Sequence, residues 1–341
     1  MIQFEDTLIR ELILHRVTSA EHNALISDST VDCSGSDEAA VLKKILLKPF
    51  LTHAQTFEFD HDVNIDYNIL FRLSKSIFEG EDFTGKSADI ARHLIAASKH
   101  PNIKDGDLFI ARFEGVMLDN RRHEAVGIYK FEDKESFMET STESNNIRVS
   151  FRKGIGSKKP DKACLILFTD EPYTLLIIDS NPNETDYWQH DFIKHKPKND
   201  DINRTNNFLT LTRNFITTQA PEDFELTKAD QIDFLNRSVD YFKSRETFRK
   251  QEFEEEVFGD PNVIDSFRRF DRTHRDESGL DLPDDFDIAP QAVKKQARVF
   301  KSVLKLDKNF HIYIHGNREW IEQGIDERGR KYYKIYYEEE R

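Results

Sequence analysis

The chain has 341 residues, is 38% hydrophobic and 33% charged, contains 27 Phe, and carries a formal net charge of -14. That composition supplies a core and excludes global disorder, and the length suits two domains or one large one. No apolar run approaches the roughly 18 residues of a membrane span, and "MIQFEDTLIRELILHRV" carries acids where a signal peptide carries bases, so a cytoplasmic chain is expected. Two cysteines, Cys33 and Cys164, are too few for a disulfide framework or a Cys-rich zinc site.

In chain order, "ELILHRV" and "NALISDSTVDC" read as short strands, although Leu8, Ile9, Leu12 and Ile13 also fit a helix. "SDEAAVLKKILLKPF" reads as a helix capped by Ser36, with acids in its first turn and an apolar face of Val41, Leu42, Ile45 and Leu46. Ile65, Ile69, Leu73 and Ile77 repeat the helical period, as do Ile90, Leu94 and Ile95. The period then changes. "DLFIARFEG", "EAVGIYKF", "NIRVSFRKG", "ACLILF" and "YTLLIID" predict an antiparallel meander. Residues 196–207 read as a polar loop, "TNNFLTLTRNFITTQ" as a helix, and Lys228 to His274 as helical with breaks at Gly259 and Pro261. The last segment, "REWIEQGIDERGRKYYKIYY", reads as a hairpin turning at Asp326–Gly329. The expected class is α+β: N-terminal helices, a central antiparallel sheet, a helical segment and a C-terminal β-hairpin unit. The expected domain boundary lies at residue 221, giving domains 1–221 and 222–341.

Charge is concentrated. Residues 291–318 hold seven Lys/Arg and one acid, a local +6 that leaves -20 for the rest, while 276–287, "DESGLDLPDDFD", holds six acids and no base. Pro290 suits a first helical position. At 100° per residue a helix from there gathers Lys294, Arg298, Lys301, Lys305 and Lys308 into a stripe about 80° wide, with Lys295 at its edge. Val293, Ala297, Phe300 and Leu304, with Ala292, Val299, Val303 and Leu306, fill the opposite half. Such a row of cations can follow a phosphate backbone, or can be a solvated face pairing with the acids just upstream.

"HIYIH" reads as a strand with His311, Tyr313 and His315 on one face. Its two histidines stand roughly 13 Å apart in a straight strand. They cannot both come within about 2.1 Å of one zinc ion. Residues 148–162 form a second basic segment, net +5, with Arg152, Lys153, Lys158 and Lys159 read as a loop between strands. It lacks the Walker pattern. His190, Asp191 and His195 have no ligand spacing. Asp179 with Glu132 and Lys134 fits a nuclease-like acid/acid/lysine trio using only common residues. Neither G-x-S-x-G nor H-E-x-x-H occurs, and no catalytic residue, metal or cofactor is expected.

The segments "HPNIKDGDLFIARFEG", "EAVGIYKFEDKESF", "KKPDKACLILF", "YWQHDF", "LNRSVDYFK" and "FKSVLKLDKNFHIYIHG…GRKYYKIYY", in that order, resemble the bacterial nucleoid-associated protein family of the NdpA/YejK type over residues 8 to 337. The resemblance implies nucleoid association and DNA binding without an established enzymatic activity, and supplies no contact residues. The expectation is therefore a nucleoid protein that is not an enzyme. It would hold DNA phosphates through the 294–308 cations and, secondarily, through 152–159. The alternatives are an acidic adaptor for a DNA-processing enzyme and a metal-dependent nuclease.

Overall fold

The structure is a computed structural model that describes residues 2–18, 23–52, 55–144, 146–156, 158–181, 186–278, 281–300, 303–314 and 318–339. The chain divides into two compact units, Met1–Lys198 and Asn199–Arg341.

The first unit contains β1 (Leu8–Val17), α1 (Ser36–Leu46), β2 (Phe57–Phe59), α2 (Ile69–Phe78), α3 (Phe83–Ala97), β3 (Gly106–Leu118), β4 (Arg121–Phe131), β5 (Glu135–Glu143), β6 (Asn146–Gly154), β7 (Lys162–Leu167), β8 (Thr174–Asp179) and β9 (His195–Pro197). Seven of these strands make an antiparallel sheet in the order β1-β3-β4-β7-β8-β2-β9, with the expected meander at its centre. Alternation along β7 shows why both faces are buried. Cys164 and Ile166 join Leu70, Phe71, Ile90 and Leu94 of α2 and α3 on one side. Ala163, Leu165 and Leu167 join Leu46 of α1 with Leu47 and Phe50 on the other.

Several local readings change. Gly35, not Ser36, is the N-cap of α1, with no side-chain cap hydrogen bond. Val41 on that helix is 56% exposed, because the face that packs is Leu42, Ile45 and Leu46. In α2 the buried face is Leu70, Phe71, Ser74 and Ile77, while Ile69 is exposed. "NALISDSTVDC" forms no strand; it is tied to β1 by a bridge from Leu25 to Arg16 and by hydrogen bonds from Ser27 N to His15 Nδ1 and from Val31 N to Leu12 O. The unexpected β5 pairs with β6 in a hairpin whose strand residues are all exposed except Gly154. Arg152 and Lys153 are therefore strand residues, not loop residues, because Arg152 lies opposite Phe137 and Lys153 opposite Ser136.

The second unit contains α4 (Asp201–Asn214), α5 (Ala220–Asp223), α6 (Lys228–Ser244), β10 (Thr247–Arg249), α7 (Lys250–Val257), α8 (Pro261–Ser278), β11 (Asp285–Asp287), α9 (Pro290–Ala297), β12 (Val303–Leu306), β13 (Phe310–Tyr313), β14 (Ile321–Ile325) and β15 (Lys331–Ile335). The expected polar loop at 196–207 is mostly the first half of α4, capped by Asp200, whose carboxylate accepts from Asn203 N at 3.0 Å. Residues 199–221, expected in the first domain, give Phe208, Leu211, Phe215, Ile216 and Ala220 to the core of the second unit. There they meet Phe242, Phe248, Phe253, Phe258, Phe267 and Phe286. The terminal hairpin turns at Asp326–Gly329 as expected, with Gly329 at φ +75°.

The long basic helix is not formed. α9 ends at Ala297, with Arg298 as its C-cap. Val303–Leu306 is a strand because it pairs with β13, Val303 opposite Tyr313 and Lys305 opposite His311. Leu304 on the other face is buried, in a small core with Ala229, Ile232, Ile314 and Ile321.

Candidate nucleic-acid interface

The break in the basic helix creates a cleft. Thr227 caps α6 with a reciprocal capping box to Asp230, which fixes where this helix begins. Asn236, Val239, Asp240 and Lys243 follow on one face at helical spacing and form one wall. Asn236 Nδ2 donates to Ile314 O at 3.2 Å and ties the end of β13 to that wall. Period-2 alternation directs Val303, Lys305, His311 and Tyr313 to the face that forms the opposite wall. Ala297, Arg298 and Phe300 close the third side. The cavity is about 650 Å³.

The charges in the cleft are unbalanced. Lys243, Arg298 and Lys305 line it with a single acid, Asp240, whose carboxylate is 3.8 Å from Lys243 Nζ. Lys305 and the His311 imidazole are direct cross-strand neighbours. Among the described residues, none of Lys294, Lys295, Arg298, Lys305 and Lys308 is in an ion pair. The acids of 276–287 do not neutralise them: Asp284 sits 3.6 Å from Lys250 and 3.8 Å from Arg275, and Asp281 accepts from Asn199 at 3.4 Å. Asp287 accepts from Thr247 at 3.3 Å.

The structure thus brings Arg298 and Lys305 together with His311 and Tyr313. Lys294 and Lys295 are exposed on α9 but do not line the cleft. Lys308 occupies the turn between β12 and β13. Lys301 and His315 lie outside the described residues. Lys243 and Asn236 were not singled out in the sequence, because nothing in an amphipathic helix says which neighbour its polar face will meet.

The second basic segment is more compensated. Arg152 Nε is 2.6 Å from Glu139 Oε2, and Lys158 Nζ is 3.6 Å from Asp161 Oδ1. Lys153 and Lys159 are exposed, with no ion pair among the described residues.

The carboxylates of the nuclease-like trio are not open to a substrate. Lys130, Lys162 and Asp179 face one another in register across β4, β7 and β8. Lys162 pairs with Asp179, and Lys130 with Glu132 at 2.8 Å, all buried. Both ammonium groups lie over the Tyr187 ring, at 5.5 and 5.6 Å from its centroid. Burial lowers the Lys130 ammonium and raises the Tyr187 phenol. Lys134 is elsewhere, 2.7 Å from Asp107. Each charge therefore has a partner, and the row joins strand ends. Among the described residues no three His, Cys, Asp or Glu are grouped to hold a metal ion.

A protein-family model described as nucleoid-associated protein YejK matches residues 13–336. The chain belongs to this family. The match spans nearly the whole chain and covers both units. Neither the curated proteins nor the solved structures give a match. No helix among the described residues of this nucleoid-associated chain is long and apolar enough to cross a membrane.

Proposed function

We propose that this nucleoid-associated protein binds DNA through backbone phosphates at the second-unit cleft, without catalysing a reaction on it. The observation that carries this reading is the convergence on one cavity of Arg298 and Lys305, which have no ion pair among the described residues, with Lys243 and His311. In a chain with 63 acids and 49 bases, cations that no described acid pairs with are positioned for an outside anion. Lys294, Lys295 and Lys308 extend the contact beyond the cleft, and Lys301, which lies outside the described residues, is proposed with them on its charge alone. Lys153 and Lys159 are secondary contacts; Arg152 and Lys158 contribute less, since each must first leave a carboxylate.

Neutralising four or five phosphates predicts a log–log slope of affinity against salt of roughly -4. Anisotropy of a labelled duplex, titrated from low to physiological salt, measures it. The double reversal Arg298→Glu with Lys305→Glu should abolish binding while leaving the circular dichroism spectrum intact. No binding at low salt, or a flat salt response, overturns the reading. The non-catalytic part predicts that plasmid incubated with the protein and Mg²⁺ or Mn²⁺ stays uncut.

A further inference from the structure

A second cavity adjoins the cleft. It is about 370 Å³, within the range of small-ligand sites, and Tyr313 lines both. Its other walls include Trp320, Tyr336 and Ile335. The aromatic residues are held side by side, since Tyr336 N donates to Trp320 O at 2.9 Å. The Tyr336 hydroxyl donates to Glu322 at 2.8 Å, which fixes that ring, and Lys334 Nζ stands 4.6 Å from the ring centroid. Trp320 is 38% exposed although it is among the largest apolar side chains in the chain.

The chemistry of these walls selects a ligand. They offer π-faces and aliphatic carbon, not the fixed donors and acceptors that read a base edge in a duplex groove. A π-face can be met only by a base whose own face is uncovered, and in a duplex those faces are closed by stacking. The neighbouring Arg298 and Lys305 supply the cations for the backbone that such a base would carry. We propose that the aromatic cavity takes an unstacked nucleobase, with Trp320 as the stacking platform, so that single-stranded DNA is the preferred ligand of the cleft. This rests on the phosphate-binding reading above.

The test is intrinsic fluorescence of the full chain at low salt. The chain has two tryptophans, and Trp188 is fully buried. A thymidine oligonucleotide of about 30 nucleotides exceeds the roughly 4–16-nucleotide footprint of small single-strand binders, and the matching duplex is the comparison. The oligonucleotide should quench the emission and the duplex should not. Trp320→Phe should remove the quenching, and Trp320→Ala should weaken oligonucleotide binding about tenfold while leaving duplex affinity unchanged. If both ligands bind alike and Trp320→Ala leaves oligonucleotide affinity unchanged, the stacking proposal fails and phosphate binding stands. If neither ligand binds at low salt, both fail.

Discussion

At the scale of single residues, two positions constrain the sheet. Gly127 lies at the centre of β4, opposite Leu165 of β7. A Cβ built there would come within 2.2 Å of the Tyr129 hydroxyl and 2.5 Å of its ring. Tyr129 is fully buried, edge-on to Phe50 at 6.2 Å, so its ring has nowhere to retreat. Gly127→Ala should therefore cost about 1–3 kcal/mol, read from a urea unfolding curve. His15 is the second position. Its Nδ1 accepts from Ser27 N at 3.1 Å, and its Nε2 lies 3.2 Å from Ser87 Oγ, which itself donates to Thr84 O. That chain fixes a neutral ring, and a second proton would remove the acceptor used by Ser27. Burial, aided by Arg92, lowers the His15 imidazole to about 4, and burial lowers His195 to about 4 as well. Between pH 6.5 and 4 the unfolded chain binds protons that the folded chain refuses. The stabilisation is thus complete above pH 6.5 and is lost as pH falls through 4, reaching about 3 kcal/mol for His15. Urea midpoints should be level above pH 6.5 and fall between pH 6.5 and 5, before most carboxylates titrate. A level midpoint across that window would contradict the buried neutral ring.

At the scale of elements, the hairpin of β5 and β6 gives no residue to the cores of the first unit. Met138, Ile147, Val149 and Phe151 share one face, and Phe151 and Ile147 are 79% and 76% exposed. The other face closes its own charges, Arg152 with Glu139 and Arg148 with Glu143. Since the hairpin buries almost nothing, replacing residues 136–153 with a short turn should move the thermal midpoint by less than about 3 °C. A larger drop would mean that the core of the first unit depends on it. The same hairpin shows what sequence can and cannot tell. Strands β3, β4, β7 and β8 were legible because each carries a dense apolar run that only a sheet buried on both faces can absorb. β5, "ESFMETSTE", was not, since its polar alternation has no core to face. Residues 294–308 failed for another reason. Val299, Phe300, Val303, Leu304 and Leu306 satisfy a period of 3.6 as well as a period of 2. Pairing with Phe310–Tyr313 decided between them, and that partner is visible only in three dimensions. Arg298 and Lys305, which line the cleft, stand out in the sequence by their charge, whereas the α6 wall does not.

At the scale of the whole molecule, each of the two units has its own apolar clusters and one of the two tryptophans. The core of the first unit contains Trp188. The second unit contains Trp320 and is built around Phe208, whose ring centroid lies 4.2 Å from Phe248, 5.1 Å from Phe253 and 6.0 Å from both Phe242 and Phe267. Removing this ring should cost about 3–5 kcal/mol, because four aromatic neighbours cannot all close on the void. If each unit is stabilised by its own core, that loss stays local. In a Trp320→Phe background Trp188 is the sole indole emitter, so its emission reports the first unit alone. Adding Phe208→Ala there should leave the Trp188 urea midpoint in place. The far-UV helical signal should instead gain an earlier transition, since α4, α6, α7 and α8 all belong to the second unit. Equal shifts in both signals would show that the chain unfolds as a single cooperative body. The Trp320→Ala and Arg298→Glu effects on DNA affinity would then need a stability control at each salt concentration.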